Sequence, residues 1–376
     1  MKFIISRQEL LELVSSVQNI VAPKTPIPIL SNFLLEAHDS RLVLTATDLT
    51  VGVRCTGSAK VLEAGATTLP ARRFAQLVRE LTSSHLEIST NTKDVTTIVA
   101  DASSFRIHGL PSQEFPGLPD MTGATRVPFT QGQLKDAFYR TSFAVSKEDS
   151  RYVLTGVFCH LSNGSAVFVG TDGKRLARTS IPTTLESKAN HECIIPLKAV
   201  EEILKTLTDE NEPATLSILA DKIAIEANDS MIVSKLLTGD YPDVDRVIPN
   251  QSSCVVSLHR EELMSLLRQV ALFTTEDSQS ARFTLAKGEL QVMANTMDVG
   301  EGKVSMPANY DGQRFDIAFN PLYFLDILRH SKNETVSLGF TDAYNPGIIS
   351  DGQLASSQKE LPNPLFVLMP LRLSEE

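Results

Sequence analysis

The sequence predicts an α+β protein of three repeated units, each with two helices packed on antiparallel strands. Three observations carry this. A Thr-Asp turn returns at a fixed interval: Thr47-Asp48 and Thr171-Asp172 lie 124 positions apart, and Asn295 takes the Thr place a further 124 along. Such a period organises a chain before any single motif does. Two apolar helical stripes return in step with the turn. Between the helices, stretches such as RLVLTATD, SHLEIST, SAVFVGTD, KIAIEAND and ELQVMAN alternate with the period of two that marks strands.

The first helix of each unit shows its stripe at Leu10, Leu13, Val14 and Val17, then at Leu134, Ala137, Phe138 and Thr141, then at Leu263, Leu266, Leu267 and Val270. Spacing of i, i+3, i+4 and i+7 gathers these residues on one helical face. The second helix repeats it at Phe74, Leu77, Val78 and Leu81, at Val200, Ile203, Leu204 and Leu207, and at Phe324, Ile327 and Leu328. Each second helix follows a short strand and a proline, in TTLPARRF, CIIPLKAV and AFNPLYFL. Proline serves at a helix start because the N–H it lacks has no partner there. The Pro-rich stretches Glu114–Asp120 and Asp240–Pro249 cannot continue strands and read as linkers. Unit boundaries are therefore expected near 1–121, 122–250 and 251–376.

The 376 residues are 42% hydrophobic and 21% charged, with a mean hydropathy of -0.03. That is globular composition and long enough for two or three cores. The 35 Lys+Arg against 45 Asp+Glu leave a net charge of -10. A simple basic nucleic-acid coat protein is disfavoured, although an acidic protein can still present a local basic surface. Charges interrupt the apolar N-terminal run by Arg7 and Glu9, so no signal peptide is expected. No apolar run reaches the roughly 18 residues of a membrane span, and a cytoplasmic protein is expected. Cys55, Cys159, Cys193 and Cys254 lie far apart in sequence and read as buried free thiols of a reducing compartment.

Catalytic patterns are absent. TDGK at Thr171–Lys174 lacks the earlier glycine of a phosphate loop, and the seven histidines follow no metal spacing. Asp48 and Asp172 recur once per repeat in a Thr-Asp turn, which is turn chemistry rather than a catalytic pair. No metal, cofactor or catalytic residue is expected. A binding or scaffolding protein is favoured over an enzyme with a site at a repeat junction.

Motifs along the whole chain carry a resemblance. They are Met1–Phe3, TPIPILSNFLLE at Thr25–Glu36, TATDL at Thr45–Leu49, PARRF at Pro70–Phe74 and FPGLPD at Phe115–Asp120. They continue with SRYVLTGV at Ser150–Val157, TDGKRLA at Thr171–Ala177, YPDVDRVIP at Tyr241–Pro249, FNPLYFLDIL at Phe319–Leu328 and VLMPLRL at Val367–Leu373. In order and spacing the chain resembles the bacterial DNA polymerase III beta subunit family, the replicative sliding clamps.

The resemblance implies three clamp domains per chain and a head-to-tail homodimer, a six-domain ring around duplex DNA. DNA contact would be through the backbone, without sequence readout. It implies Lys24, Arg72, Arg73, Arg151, Tyr152 and Lys198 as DNA-contacting residues, and Phe105 and Ile107 packing across the dimer against Leu272 and Phe273. The second helices carry Arg72, Arg73, Arg79, Lys198, Lys205, Arg329 and Lys332 against Glu80, Glu201, Glu202 and Asp326, a sign bias of the kind a clamp needs and that any solvated helix set also shows.

It further implies a pocket that takes short linear motifs of the replicative polymerase, the clamp loader, and repair and translesion polymerases. The matching residues are Leu154, Thr171, Gly173, Arg175, Leu176, Pro242, Val247, Val367 and Met369, with Arg151, Asn320, Tyr323, Leu371 and Arg372 on the rim. Read from the residues alone, Leu154, Leu176 and Val247 fit a core better than a pocket; the resemblance reverses that order. Glu148, Val153, Lys174 and Leu371 depart from the family's usual residues, and Ser374–Glu376 extend past its usual stop.

Overall fold

The computed structural model describes residues 1–21, 25–162, 164–183, 190–355 and 361–372; for Asp149 it describes the backbone alone. Lys24 and Ser374–Glu376 lie outside the described residues. Among those described are six α-helices: α1 (Arg7–Val17), α2 (Ala71–Glu80), α3 (Gln131–Ser142), α4 (Leu197–Thr206), α5 (Arg260–Ala271) and α6 (Pro321–His330).

The helical stripes are buried as expected. In α3, Leu134, Ala137, Phe138 and Thr141 are all enclosed, and in α6 so are Phe324, Ile327 and Leu328. Burial of a large apolar side chain contributes about 1.5–3 kcal/mol. Leu77, Leu204 and Leu266 are only half-buried, at the edge of their stripes. The starts differ in detail from expectation. Pro70 and Pro196 occupy the cap position just before α2 and α4, and Pro321 is the first residue of α6. Asn320 caps α6, its side-chain oxygen accepting from the N–H groups of Leu322 at 2.9 Å and Tyr323 at 3.4 Å.

By contacts the chain divides into two compact units: residues 1–135 with 195–237, and residues 136–194 with 238–376. The grouping follows strand pairing. In the first unit an eight-stranded antiparallel sheet runs Thr125–Thr130, Pro213–Ile218, Lys222–Ala227, Ser230–Lys235, Val51–Ser58, Arg41–Thr47, Asn32–His38, Gly65–Pro70. Its seam is the pairing of Ser230 with Cys55 and Ser234 with Val51, which joins strands of the central repeat to the first. A five-stranded sheet completes this unit, with Lys60–Glu63 and Ser103–His108 as its edges.

The second unit repeats the device. Its eight-stranded sheet runs His191–Pro196, Gly156–Ser162, Ser165–Thr171, Arg175–Pro182, Leu365–Leu368, Gly347–Ser350, Thr335–Phe340, Cys254–His259. Arg175 pairs with Leu368 and Leu176 with Val367, joining the other strands of the central repeat to the third. A four-stranded sheet ends in the edge strands Gly300–Pro307 and Phe315–Phe319. Phe283, Phe319, Phe324 and Phe340 fill this unit's core in edge-on and stacked contacts.

All four cysteines are free and buried. Burial pushes the Cys55 thiol up to about 12, so it is an inert thiol at neutral pH. No described helix is long and apolar enough to cross a membrane.

Candidate functional site

The repeated Thr-Asp turn closes one hairpin in each unit, with one hydrogen-bond pattern. In the first, Thr47 Oγ1 donates to the Val51 carbonyl at 3.0 Å, and Asp48 Oδ1 accepts from the N–H groups of Thr50 at 2.9 Å and Val51 at 2.7 Å. In the second, Thr171 Oγ1 donates to the Arg175 carbonyl at 2.6 Å, and Asp172 Oδ1 accepts from Lys174 at 2.9 Å and Arg175 at 3.0 Å. Both aspartates are thus turn residues. The position after Asp is left-handed in both, at Leu49 (φ 73°) and Gly173 (φ 82°). At the second turn glycine adopts this conformation without strain, and a Cβ on Gly173 would lie 2.4 Å from Arg151 Nη1, so the guanidinium would have to shift.

Beside that second turn is an apolar cavity of about 190 Å³. Leu154, Thr171, Gly173, Arg175, Leu176, Pro242, Val247, Val367 and Met369 all line it, together with Asp243 and Val244, which the sequence reading did not single out. Leu154, Leu176 and Val367 are buried and form the floor, while Val247 and Met369 are 44% and 39% exposed and form the lip. The Met369 N–H donates to the Lys174 carbonyl at 2.9 Å, which fixes the C-terminal strand against the turn.

Arg175 is a fixed wall of the cavity. Its guanidinium donates to Asp172 at 3.3 Å, Asp326 at 2.7 Å and the Phe143 carbonyl at 3.0 Å. It also lies between the Phe143 and Tyr323 rings, at 5.3 and 4.7 Å. Such a planar, fully paired cation holds shape. Arg175 also walls a polar cavity of about 320 Å³, lined by Val145, Ser146, Lys147, Glu148, Arg151, Asp172, Lys174 and Tyr323. On the other side, Val247 and Met369 open onto a groove of about 640 Å³ bounded by Arg246, Ile248–Gln251, Thr341, Asn345 and Pro346.

Several expected rim residues stand elsewhere. Asn320 is 5% exposed and spends its side chain on capping α6 and on Gln279, at 2.7 Å, so it lines none of these cavities. Leu371 bridges to Ala318 through its N–H at 2.8 Å and, like the exposed Arg372, is not among the lining residues. Arg151 and Tyr323 line the polar cavity rather than the apolar one.

Of the expected DNA-facing residues, Arg72 and Arg73 are exposed on α2, and Arg72 and Arg79 line a cavity of about 310 Å³ with Gln18, Asn19 and Gln76. Lys198 is not a free cation: its ammonium is paired with Asp48. Burial of Asp48 is outweighed by that ammonium and by the backbone N–H groups of Val51 and Thr50, and its carboxyl lies below the usual range. Lys332 pairs with Asp136 rather than with Asp326. Arg151 donates to the Asp172 carbonyl at 2.7 Å, and Tyr152 is 53% exposed.

The expected seam residues divide. Leu272 is 74% exposed, Phe105 is half-buried, and Phe273 packs on Gly302 and the core behind it. Ile107 is only 5% exposed within the single chain, so it offers a partner less apolar surface than expected. Among the described residues no group of three His, Cys, Asp or Glu is placed to hold a metal ion.

A repeat fold with a well-formed apolar cavity walled by a fully paired arginine has the form of a binding protein. The comparisons agree in detail. Family profiles for the DNA polymerase III beta subunit match in order, the N-terminal domain over residues 1–119, the central domain over 129–243 and the C-terminal domain over 245–362. The beta sliding clamp of Chlamydia muridarum is 50% identical over 376 residues, all of both chains. That of Haemophilus influenzae is 30% identical over 374 residues, 99% of this chain and 100% of the relative. The crystal structure of the Pseudomonas aeruginosa sliding clamp bound to griselimycin superposes with a TM-score of 0.93 at 28% identity, covering 99% of this chain and 100% of that one. The chain belongs to the DNA polymerase III beta subunit family, the bacterial sliding clamps. It has three clamp domains and acts as a non-catalytic processivity factor.

Proposed function

We propose that two copies close head to tail into a six-domain ring that encircles duplex DNA without sequence readout, in the cytoplasm, with the unit boundaries near 1–121, 122–250 and 251–376. The apolar cavity at the Thr171–Arg175 turn takes short linear motifs of the replicative polymerase, the clamp loader, and repair and translesion polymerases. The observation that carries the docking reading is the cavity itself: a buried floor of Leu154, Leu176 and Val367 under an exposed apolar lip of Val247 and Met369. An exposed apolar lip over a preformed floor suits a Leu or Phe anchor of a peptide. The groove continuing past Met369 extends the same path.

For the ring, support comes from two exposed strand edges, Ser103–His108 in the first unit and Gly300–Pro307 in the second. Unpaired edges are templates for a strand of another chain. Phe105, Leu272 and Phe273 would supply the apolar contact and Ile107 little of it. Arg72 and Arg73 would meet phosphates, with Arg151 and Tyr152 assisting. Lys198 would do so only by leaving Asp48.

The docking reading is tested with Val247→Ala combined with Met369→Ala, both on the exposed lip. Titration with a synthetic peptide ending in Leu-Phe should show at least about tenfold weaker binding, since a few anchors carry most of such an affinity. Binding within twofold of the unsubstituted protein would place the docking site elsewhere.

A further inference from the structure

Resting on the enclosing-ring reading above, we propose that Asp48 is a positioning residue for DNA contact: it holds the Lys198 ammonium away from the phosphates, so that this clamp touches its duplex less than its cations allow. The two residues belong to different repeats, and the sheet that the first and central repeats share brings them together. Asp48 sits in the Thr-Asp turn between Arg41–Thr47 and Val51–Ser58, and Lys198 is exposed at the second position of α4. The Asp48 carboxylate divides its oxygens. Oδ1 accepts from the N–H groups of Thr50 at 2.9 Å and Val51 at 2.7 Å, which fixes the carboxylate in the turn, and Oδ2 meets the Lys198 ammonium. The anion is thus the fixed partner and the lysine the movable one, a compact charge on a flexible four-carbon stem.

The other repeats show what this pairing withholds. The same position of the second helix is Arg72 in α2 and Leu322 in α6, both exposed. The cavity that Arg72 lines with Gln18, Asn19, Gln76 and Arg79 contains no carboxylate, so its charge is open to a phosphate. In the second Thr-Asp turn the other oxygen of Asp172 goes to Arg175 of its own hairpin. On α4 itself Glu202 is taken by Lys205. The first turn therefore differs from the second in spending its carboxylate on a cation of the next repeat's helix. A cation so held releases no counterions from DNA, and counterion release drives non-specific binding. A partly exposed ion pair of this kind is weak, so a phosphate can compete for Lys198, but it must break the pair first.

The test is fluorescence anisotropy with one short linear duplex, read over a salt series on the full chain and on Asp48→Asn, Asp48→Asn/Lys198→Gln and Arg72→Gln. Asparagine keeps the oxygen that accepts from Thr50 and Val51 and removes the charge. Asp48→Asn should bind at least about threefold tighter at low salt, and its plot of log affinity against log salt should steepen by about 0.9 for each lysine that engages a phosphate. Asp48→Asn/Lys198→Gln, which deletes both charges, should return affinity and slope to those of the unsubstituted protein. Arg72→Gln should weaken binding and flatten the slope. Asp48→Ser, whose hydroxyl also accepts from turn N–H groups, carries the same expectation as Asp48→Asn and replaces it if that variant does not fold. Three results overturn the proposal and leave the DNA reading intact: no gain in Asp48→Asn, a gain that persists without Lys198, or weaker binding by Asp48→Asn/Lys198→Gln than by the unsubstituted protein, which would mean that Lys198 already reaches phosphate beside Asp48. A salt slope near zero in every protein, Arg72→Gln included, overturns the DNA reading of these helices and the proposal with it.

Discussion

His330 shows how a single side chain is tuned by its neighbours. Its ring stacks on Phe143 at 4.0 Å between centroids, and its Nδ1 is 2.7 Å from the Asp326 carbonyl. Burial lowers its pKa below the ordinary value of 6.5; the Asp326 contacts oppose this, and the charges of Arg175 and Arg329 add to it. A base held neutral in the folded state favours folding fully above its unfolded pKa, and that contribution is lost as pH falls from there through the depressed folded value. The thermal midpoint should therefore drop on acidification from pH about 7.5 to about 5.5, and His330→Phe, which keeps the stack and removes the titration, should flatten part of that drop. Unchanged pH dependence in the variant would mean that His330 does not contribute. Gly173 carries the opposite kind of constraint, a left-handed backbone conformation with Arg151 Nη1 close against it.

At the scale of elements, the sequence was legible wherever structure is local. The stripe through Leu134, Ala137, Phe138 and Thr141 told correctly which face of α3 is covered, because helical periodicity alone decides that. The shared bonding of the Thr47-Asp48 and Thr171-Asp172 turns was likewise visible as a repeat. Nine pocket residues from four separate stretches of chain were brought to one cavity, and there the family resemblance, not spacing, supplied the grouping. What stayed hidden is non-local. Alternation in Ser103–His108 says that Phe105 and Ile107 share a face, but not that this face covers the chain's own sheet. Nothing in sequence links Lys198 to Asp48, 150 residues apart. The Asn before Pro321 was readable as a cap rather than a rim residue, since Asn before an N1 proline is a helix-start signal. The seam prediction belongs to this scale. Leu272→Asp at the end of α5 removes an exposed apolar contact without touching the core, and burying an unpaired carboxylate adds to the loss. Sedimentation should show a dimer weakened at least about tenfold. An unchanged dimer at nanomolar protein would put the seam away from Leu272.

For the whole molecule, the repeat and the strand pairing point the same way. Each eight-stranded sheet is built partly from the central repeat and partly from a neighbour, so the central repeat shares its strands between the two compact units. A net charge of -10 suits holding DNA by enclosure more than by affinity, because direct binding to a polyanion needs many uncompensated cations and weakens steeply with salt. Enclosure has a signature that affinity cannot imitate. The most direct test loads the protein onto a circular duplex with a bacterial clamp loader, raises the salt to about 0.5 M, and then cuts the circle once. The account predicts retention on the intact circle at high salt and loss after linearisation, for any DNA sequence. Dissociation from the intact circle at high salt, or equal retention on the cut duplex with free ends, would contradict it.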